Sequence, residues 1–193
     1  TLAIVFISIK QDRKSVCELL QKNEIDIIGA TSCGEFIDGY QSQGEIAILL
    51  LDINKKDYFI LFEDIGERTL NDTAANMAKA ALQKFNKPAF ILCSSLLSSS
   101  GKMIDGETLI RSIEKVMGAQ VTLFGGMAGD DITFTGTYVF RNDRSTDYGI
   151  AALVLNEEKI CLRGVAISGW KPMGIYRTAT KTEGNLIYTI DDQ

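Results

Sequence analysis

The sequence predicts an α/β fold of mixed, largely antiparallel sheets flanked by helices, arranged as two pseudo-repeated strand–helix–strand–strand–strand units. Three observations lead there. Short runs of β-branched and aromatic residues recur along the chain, segments with apolar residues at a helical period stand between some of them, and the order begins again after Pro88. In the first unit Ala3 to Ile7 reads as a buried strand, followed by a helix with Val16, Leu19 and Leu20 on its apolar side. Ile25 to Ile28 is an extended run that enters a turn-rich segment, Gly29 to Glu35. Strands at Ile46–Leu51 and Tyr58–Phe62 follow, separated by the polar turn Asn54-Lys55-Lys56-Asp57. Leu70 to Phe85 is the clearest helix. Its residues Leu70, Ala74, Met77, Ala81, Leu82 and Phe85 share one face, and Pro88 closes it.

The second unit opens with a strand at Phe90–Cys93 and a Ser-rich loop. A helix then runs from its N-cap, Asp105, to Met117, with Gly118 as its stop, and buries Leu109, Ile110, Ile113, Val116 and Met117. A strand at Val121–Phe124 enters the segment Gly125 to Asp131, and strands at Thr137–Phe140, Ile150–Leu155 and Ile160–Ile167 complete the unit. Laid over each other, the halves align Ile27-Ile28-Gly29-Ala30 with Leu123-Phe124-Gly125-Gly126. Gly34-Glu35 answers Gly129-Asp130 with one residue of slippage, and Gly44–Leu50 answers Gly149–Leu155. Chance similarity between apolar strands explains part of this; a glycine at the same point in both halves is harder to obtain by chance. One domain over residues 1–193 is expected, with pseudo-repeats at about 1–87 and 88–193. Its sheets would pack face to face or merge, its helices would cover the outside, and the two glycine segments would line a shared cleft.

Composition sets the broad class. With 193 residues, 46% of them apolar, the chain can bury a sizeable core. The 25 acidic against 20 basic residues give a net charge of −5 with no basic stripe, which disfavours nucleic acid. Cys17, Cys33, Cys93 and Cys161 are far apart, unlike a disulfide framework, so a reducing cytoplasm is the expected location. No apolar run approaches the roughly 18 residues of a membrane span, and no direct membrane insertion is expected. The missing initiator Met, and an end at Gln193 just after an apolar alternation, lead to the expectation of a fragment of a longer protein.

Ile28 to Glu35 resembles the Gly–x–Thr/Ser–x–x–Gly–Glu turn of FIST N-terminal domains. Phe124-Gly125-Gly126-Met127-Ala128-Gly129-Asp130-Asp131, followed by Thr137 to Phe140, is similar to that family's second glycine motif. Gly169-Trp170-Lys171-Pro172-Met173-Gly174, then Thr180 and Gly184-Asn185, resembles its closing signature, and Ser8 stands in place after the first strand. The resemblance implies a sensory module that binds a small ligand such as an amino acid. It also implies two partners in the same chain, a C-terminal FIST domain and an output domain. The haem-binding mode found in the family uses histidine, which this sequence lacks, and no cofactor is expected.

The chemistry of the residues points the same way. Without histidine, the commonest general base and the usual partner of a Ser or Cys nucleophile are missing, so an enzyme is not expected. Cys33 beside Glu35 is the best nucleophile on offer, yet its surroundings are not a GxSxG elbow. Gly125 to Gly129 lacks both phosphate-loop patterns, and Asp130-Asp131 would repel an anion there. Asp130, Asp131 and Asp105 could form an oxygen site for a metal, although such a pair after a glycine segment usually forms a turn. The predicted ligand-binding set is Thr31, Ser32, Cys33, Gly34, Glu35, Ser94, Gly125, Gly126, Asp130 and Trp170. Backbone N–H groups in the glycine segments and the hydroxyls would donate, the carboxylates would meet an ammonium group, and Trp170 would form an apolar wall. A protein-interaction scaffold and a Cys- or carboxylate-dependent enzyme stay as alternatives.

Overall fold

Two β-sheets stacked face to face, with helices on both outer surfaces, make up residues Thr1–Arg163. The structure is a computed structural model that describes residues 1–193 except 166, 168, 184 and 185. In chain order this unit contains β1 (Leu2–Ser8), α1 (Arg13–Lys22), β2 (Asp26–Ser32), β3 (Glu35–Ile37), β4 (Tyr40–Ser42), β5 (Ile46–Leu51) and β6 (Tyr58–Asp64). Then follow α2 (Leu70–Lys84), β7 (Pro88–Ser94), α3 (Gly106–Met117), β8 (Leu123–Met127), β9 (Val139–Arg141), β10 (Arg144–Thr146) and β11 (Gly149–Asn156). One sheet has the order β10-β9-β2-β1-β5, the other β6-β11-β7-β8. Most pairings are antiparallel; β1–β2 and β7–β8 are parallel.

Alternation along the strands builds the layers. Leu2 and Ile4 of β1 face inward with Ile28 and Ala30, against Ala151, Leu153 and Leu155 of the second sheet. Ala3, Val5 and Ile7 point the other way, beneath Cys17 and Leu20 of α1. On the far side Ile150, Ala152 and Val154 lie under α2 and α3, which is why β11 reads as one unbroken apolar run. Each helix starts on a side-chain cap. Asp12 accepts from the Ser15 N–H, Thr69 from Asp72 and Asp105 from Glu107, satisfying donors that helix starts leave open. Gly118, at φ 90°, stops α3.

The two sheets share their registers. Val5 stands opposite Gly29 as Leu92 stands opposite Gly125, and Ile7 opposite Ile46 as Ser94 opposite Ile150. Ser8 donates to the Glu45 carbonyl at 2.9 Å, and Ser95 to the Gly149 carbonyl at 3.0 Å. The hairpins β3–β4 and β9–β10 each have three residue pairs, and each begins its turn with a left-handed residue, Asp38 at φ 48° and Asn142 at φ 50°.

Several sequence expectations need correction. Gly29 and Gly125 are not in turns: β2 runs on to Ser32 and β8 to Met127, through both glycines. Glycine is needed there for close approach, since a Cβ on Gly29 would lie 2.5 Å from the Val5 carbonyl oxygen. Ile110 is half-exposed rather than buried. The expected strand at Ile160–Ile167 is not formed among its described residues. Ile160 and Leu162 pack against the inter-sheet core, but the segment makes no ladder. Hairpin β3–β4 and strand β10 were not anticipated, because their three-residue strands are too short for an alternation to register.

Residues Gly164–Gln193 form a separate unit around an antiparallel pair, β12 (Ala179–Glu183) and β13 (Leu186–Ile190), with a register irregularity between them. Arg177 pairs with Asp191 at 2.9 Å, and the Asp191 carboxylate also accepts from the Thr178 N–H. Gly184 and Asn185 of the closing signature lie outside the described residues.

Candidate functional site between the two sheets

The carboxyl-terminal parts of β1, β2, β7 and β8 border one opening between the two sheets. The opening is a cleft of about 540 Å³, a size that suits a small molecule. Phe6 and Ala30 form one wall; Ile91, Cys93 and Gly125 form the other. Thr31, Ser32 and Cys33 meet Gly126 to Gly129 at its mouth. The two glycine segments touch directly: the Gly129 N–H donates to the Thr31 carbonyl at 2.9 Å and the Ala128 N–H to the Ser94 carbonyl at 2.7 Å. A Cβ on Gly129 would lie 2.9 Å from the Cys33 nitrogen, so only glycine permits this crossing.

Of the predicted residues, Thr31, Ser32, Cys33, Gly125 and Gly126 are brought together as lining. The expected row of free backbone donors is smaller than anticipated. The N–H groups of Ala128 and Gly129 are spent tying the segments together, and that of Thr31 donates to Tyr138 at 2.8 Å. The Thr31 hydroxyl oxygen accepts from the Tyr138 N–H at 2.9 Å. Gly34 and Glu35 instead line an adjoining apolar hollow of about 420 Å³ that shares Phe6 with the cleft. Glu35 is buried, and its carboxylate accepts from the Ser32 hydroxyl at 2.6 Å and the Glu45 N–H at 3.0 Å.

The acidic residues after β8 are occupied locally. Asp130 accepts from the N–H groups of Thr135 at 2.9 Å and Gly136 at 3.3 Å, and so shapes its own loop. Asp131, at φ 53°, accepts from the Ser8 hydroxyl at 2.5 Å. With Asp105 capping α3, the three aspartates do not converge; among the described residues no group of three metal-ligating side chains does. Ser94 is buried below the mouth, and Trp170 is an exposed residue of the Gly164–Gln193 unit.

Sequence reasoning missed Phe6 and Cys93 as lining; the inward alternation of β1 and β7 was the signal that could have found them. Among the described residues no charged side chain lines the cleft, so its own polar equipment is hydroxyl and thiol. A smaller hollow of about 280 Å³ lies between α1 and the β9–β10 hairpin, away from the glycine segments. Its Lys14 and Glu18 already pair at 3.8 Å.

The thiols differ in access. Cys33 and Cys161 are exposed, whereas burial pushes the Cys17 thiol up and that of Cys93 to about 12. Thiolate is the reactive form. An alkylating reagent at neutral pH should therefore label Cys33 and Cys161 in the native protein, and Cys17 and Cys93 only after denaturation. Peptide mass spectrometry reads this directly. Labelling of Cys93 at the rate of Cys33 would show that this wall of the cleft is open to solvent.

The family model described as FIST N domain matches residues 1–193, the full sequence. No curated protein matches it.

Proposed function

The chain belongs to the FIST N domain family of sensory domains in signalling proteins, and from that premise we propose that it binds a small ligand in the inter-sheet cleft and passes the bound state to an output domain. The observation that carries this reading is the meeting of both glycine segments at one concave, mostly apolar site with Ser32 and Cys33 at its mouth. Apolar walls supply burial, and the few polar groups fix orientation. A cleft without a charged side chain among the described residues, in a chain without histidine, supports binding over turnover. Four free cysteines fit a cytoplasmic setting. No described helix is long and apolar enough to cross a membrane. A C-terminal FIST domain and an output domain in the same chain are the proposed partners.

A thermal-shift screen against amino acids, nucleotides and divalent metals tests this. A ligand at ~100 times its dissociation constant adds about 2.7 kcal/mol, several degrees in melting midpoint. Gly126→Val is the discriminating variant. A Cβ there meets nothing within 4 Å, so the side chain should project into the cleft and block it without straining the strand. The ligand-free midpoint should move by no more than about 2 °C, as for a surface change of ~0.5 kcal/mol, while the ligand shift is lost. A hit that survives Gly126→Val places the ligand elsewhere. A flat screen, repeated with the full-length protein, removes the sensory reading. A protein-interaction scaffold would then lead, on the exposed apolar residues Phe36, Ile37, Tyr40, Leu49 and Leu50.

A further inference from the structure

In the first sheet β2 is flanked by the β9–β10 hairpin, with Ala30 opposite Val139, Gly29 opposite Phe140 and Ile28 opposite Arg141. The Phe140 ring occupies the space that a side chain on Gly29 would fill, and it is sealed in with Cys17 and Leu20 of α1. In the second sheet β8 carries Gly125 in the same register against its parallel neighbour, but β8 ends its sheet, with no strand of the described residues on its outer edge. Gly125, Gly126 and Met127 are exposed there. Half-exposed Ile110 sits five residues beyond the capping Asp105, as buried Cys17 sits five beyond Asp12. Meanwhile β3 and β4 pair with each other and with no further strand among the described residues, and Phe36, the counterpart of Phe140 in hairpin register, is 81% exposed.

We propose that β3–β4 is a lid that docks antiparallel on the outer edge of β8, with Ile37 opposite Phe124, Phe36 opposite Gly125 and Glu35 opposite Gly126. The second sheet would then receive from β3–β4 what the first receives from β9–β10. The path from Ser42 to Ile46 has the same length as the path from Thr146 to Ile150, which already crosses between the sheets. On the other side, the three residues from Ser32 to Glu35 span at most roughly 10 Å, and Gly129 is already bonded to the neighbouring Thr31. Gly34 at φ 111° and Gly44 at φ 82° flank the hairpin as hinges. Docking exchanges the Glu35 bonds to Ser32 and Glu45 for a strand ladder, so the lid has two discrete positions.

The docked position gives the cleft a charge. Val139, opposite Ala30, points between the sheets; Glu35, opposite Gly126, would do the same and bring one carboxylate into the cleft. A cationic group, ammonium or guanidinium, is what compensates a carboxylate moved there. This ligand assignment rests on the cleft being the binding site; the docking itself does not.

Disulfide trapping in the full-length, ligand-free protein tests the register. In a Cys33→Ser, Cys93→Ala, Cys161→Ser background, which removes the native thiol opposite Gly126, Ile37→Cys with Phe124→Cys should close within one chain under mild oxidation. It should do so at least about ten-fold faster than the off-register pair Ile37→Cys with Gly126→Cys, because a disulfide requires Cβ atoms within about 4.5 Å. The pair Glu35→Cys with Gly126→Cys is a second in-register position should the first fail to fold. Equal rates for the in-register and off-register pairs, or a disulfide between chains, overturns the lid. Cationic hits of the thermal-shift screen that weaken in Glu35→Gln support the ligand class. Hits confined to anions overturn that class and leave the docking intact.

Discussion

Gly125→Ala should cost about 3 kcal/mol, with a fall of roughly 6–12 °C in melting midpoint for a chain of this size. A Cβ at Gly125 would lie 2.8 Å from the Leu92 carbonyl carbon and closer still to its oxygen. That neighbour is backbone of β7, itself held by β11 on its other side, so it has no rotamer through which to give way. The adjacent Gly126→Ala is the control. Its Cβ enters open space, and it should stay within ~0.5 kcal/mol of the parent. Urea unfolding of both variants makes the comparison. A Gly125→Ala cost no larger than that of Gly126→Ala would mean that β7 and β8 adjust freely, and close approach would not be the reason for this glycine.

Phe140→Ala should be at least as damaging, about 3–5 kcal/mol. The side chain is 1% exposed and fills the space over Gly29 beneath α1. The Arg13 guanidinium, 4.4 Å from the Tyr138 ring centroid and 5.8 Å from that of Phe140, would lose part of its aromatic support. Gly29→Ala alone should also destabilise, because its Cβ meets both the ring and the Val5 carbonyl. With the ring removed only the carbonyl clash is left, so the two substitutions should couple by about 1–2 kcal/mol in a double-mutant cycle. Strict additivity would show that ring and glycine are not packed as one unit.

Much of the architecture was legible along the chain. The period of α2, the Asp105 cap and Gly118 stop of α3, and the continuous apolar run of β11 are local signals, and each produced its element. The α/β class and the meeting of the two glycine segments followed from the order of those elements. Which strand pairs with which did not. β9 joins β2, and β6 joins β11, across long stretches of sequence, and three-residue strands carry too little alternation to announce a partner. The role of Gly29 and Gly125 was hidden for a related reason. A turn glycine shows itself through its neighbours in sequence, whereas a close-approach glycine is explained by a carbonyl on another strand. Glu35 and Asp130 could be recognised as carboxylates, but not that both are already bonded away from the cleft. Sequence by itself determined the three helices, the longer strands and the class of this protein, because helix caps and periodicity act within a few residues. Tertiary structure alone decided the sheet partners, the walls of the cleft and the direction of each polar group, because these depend on contacts between segments far apart in the chain.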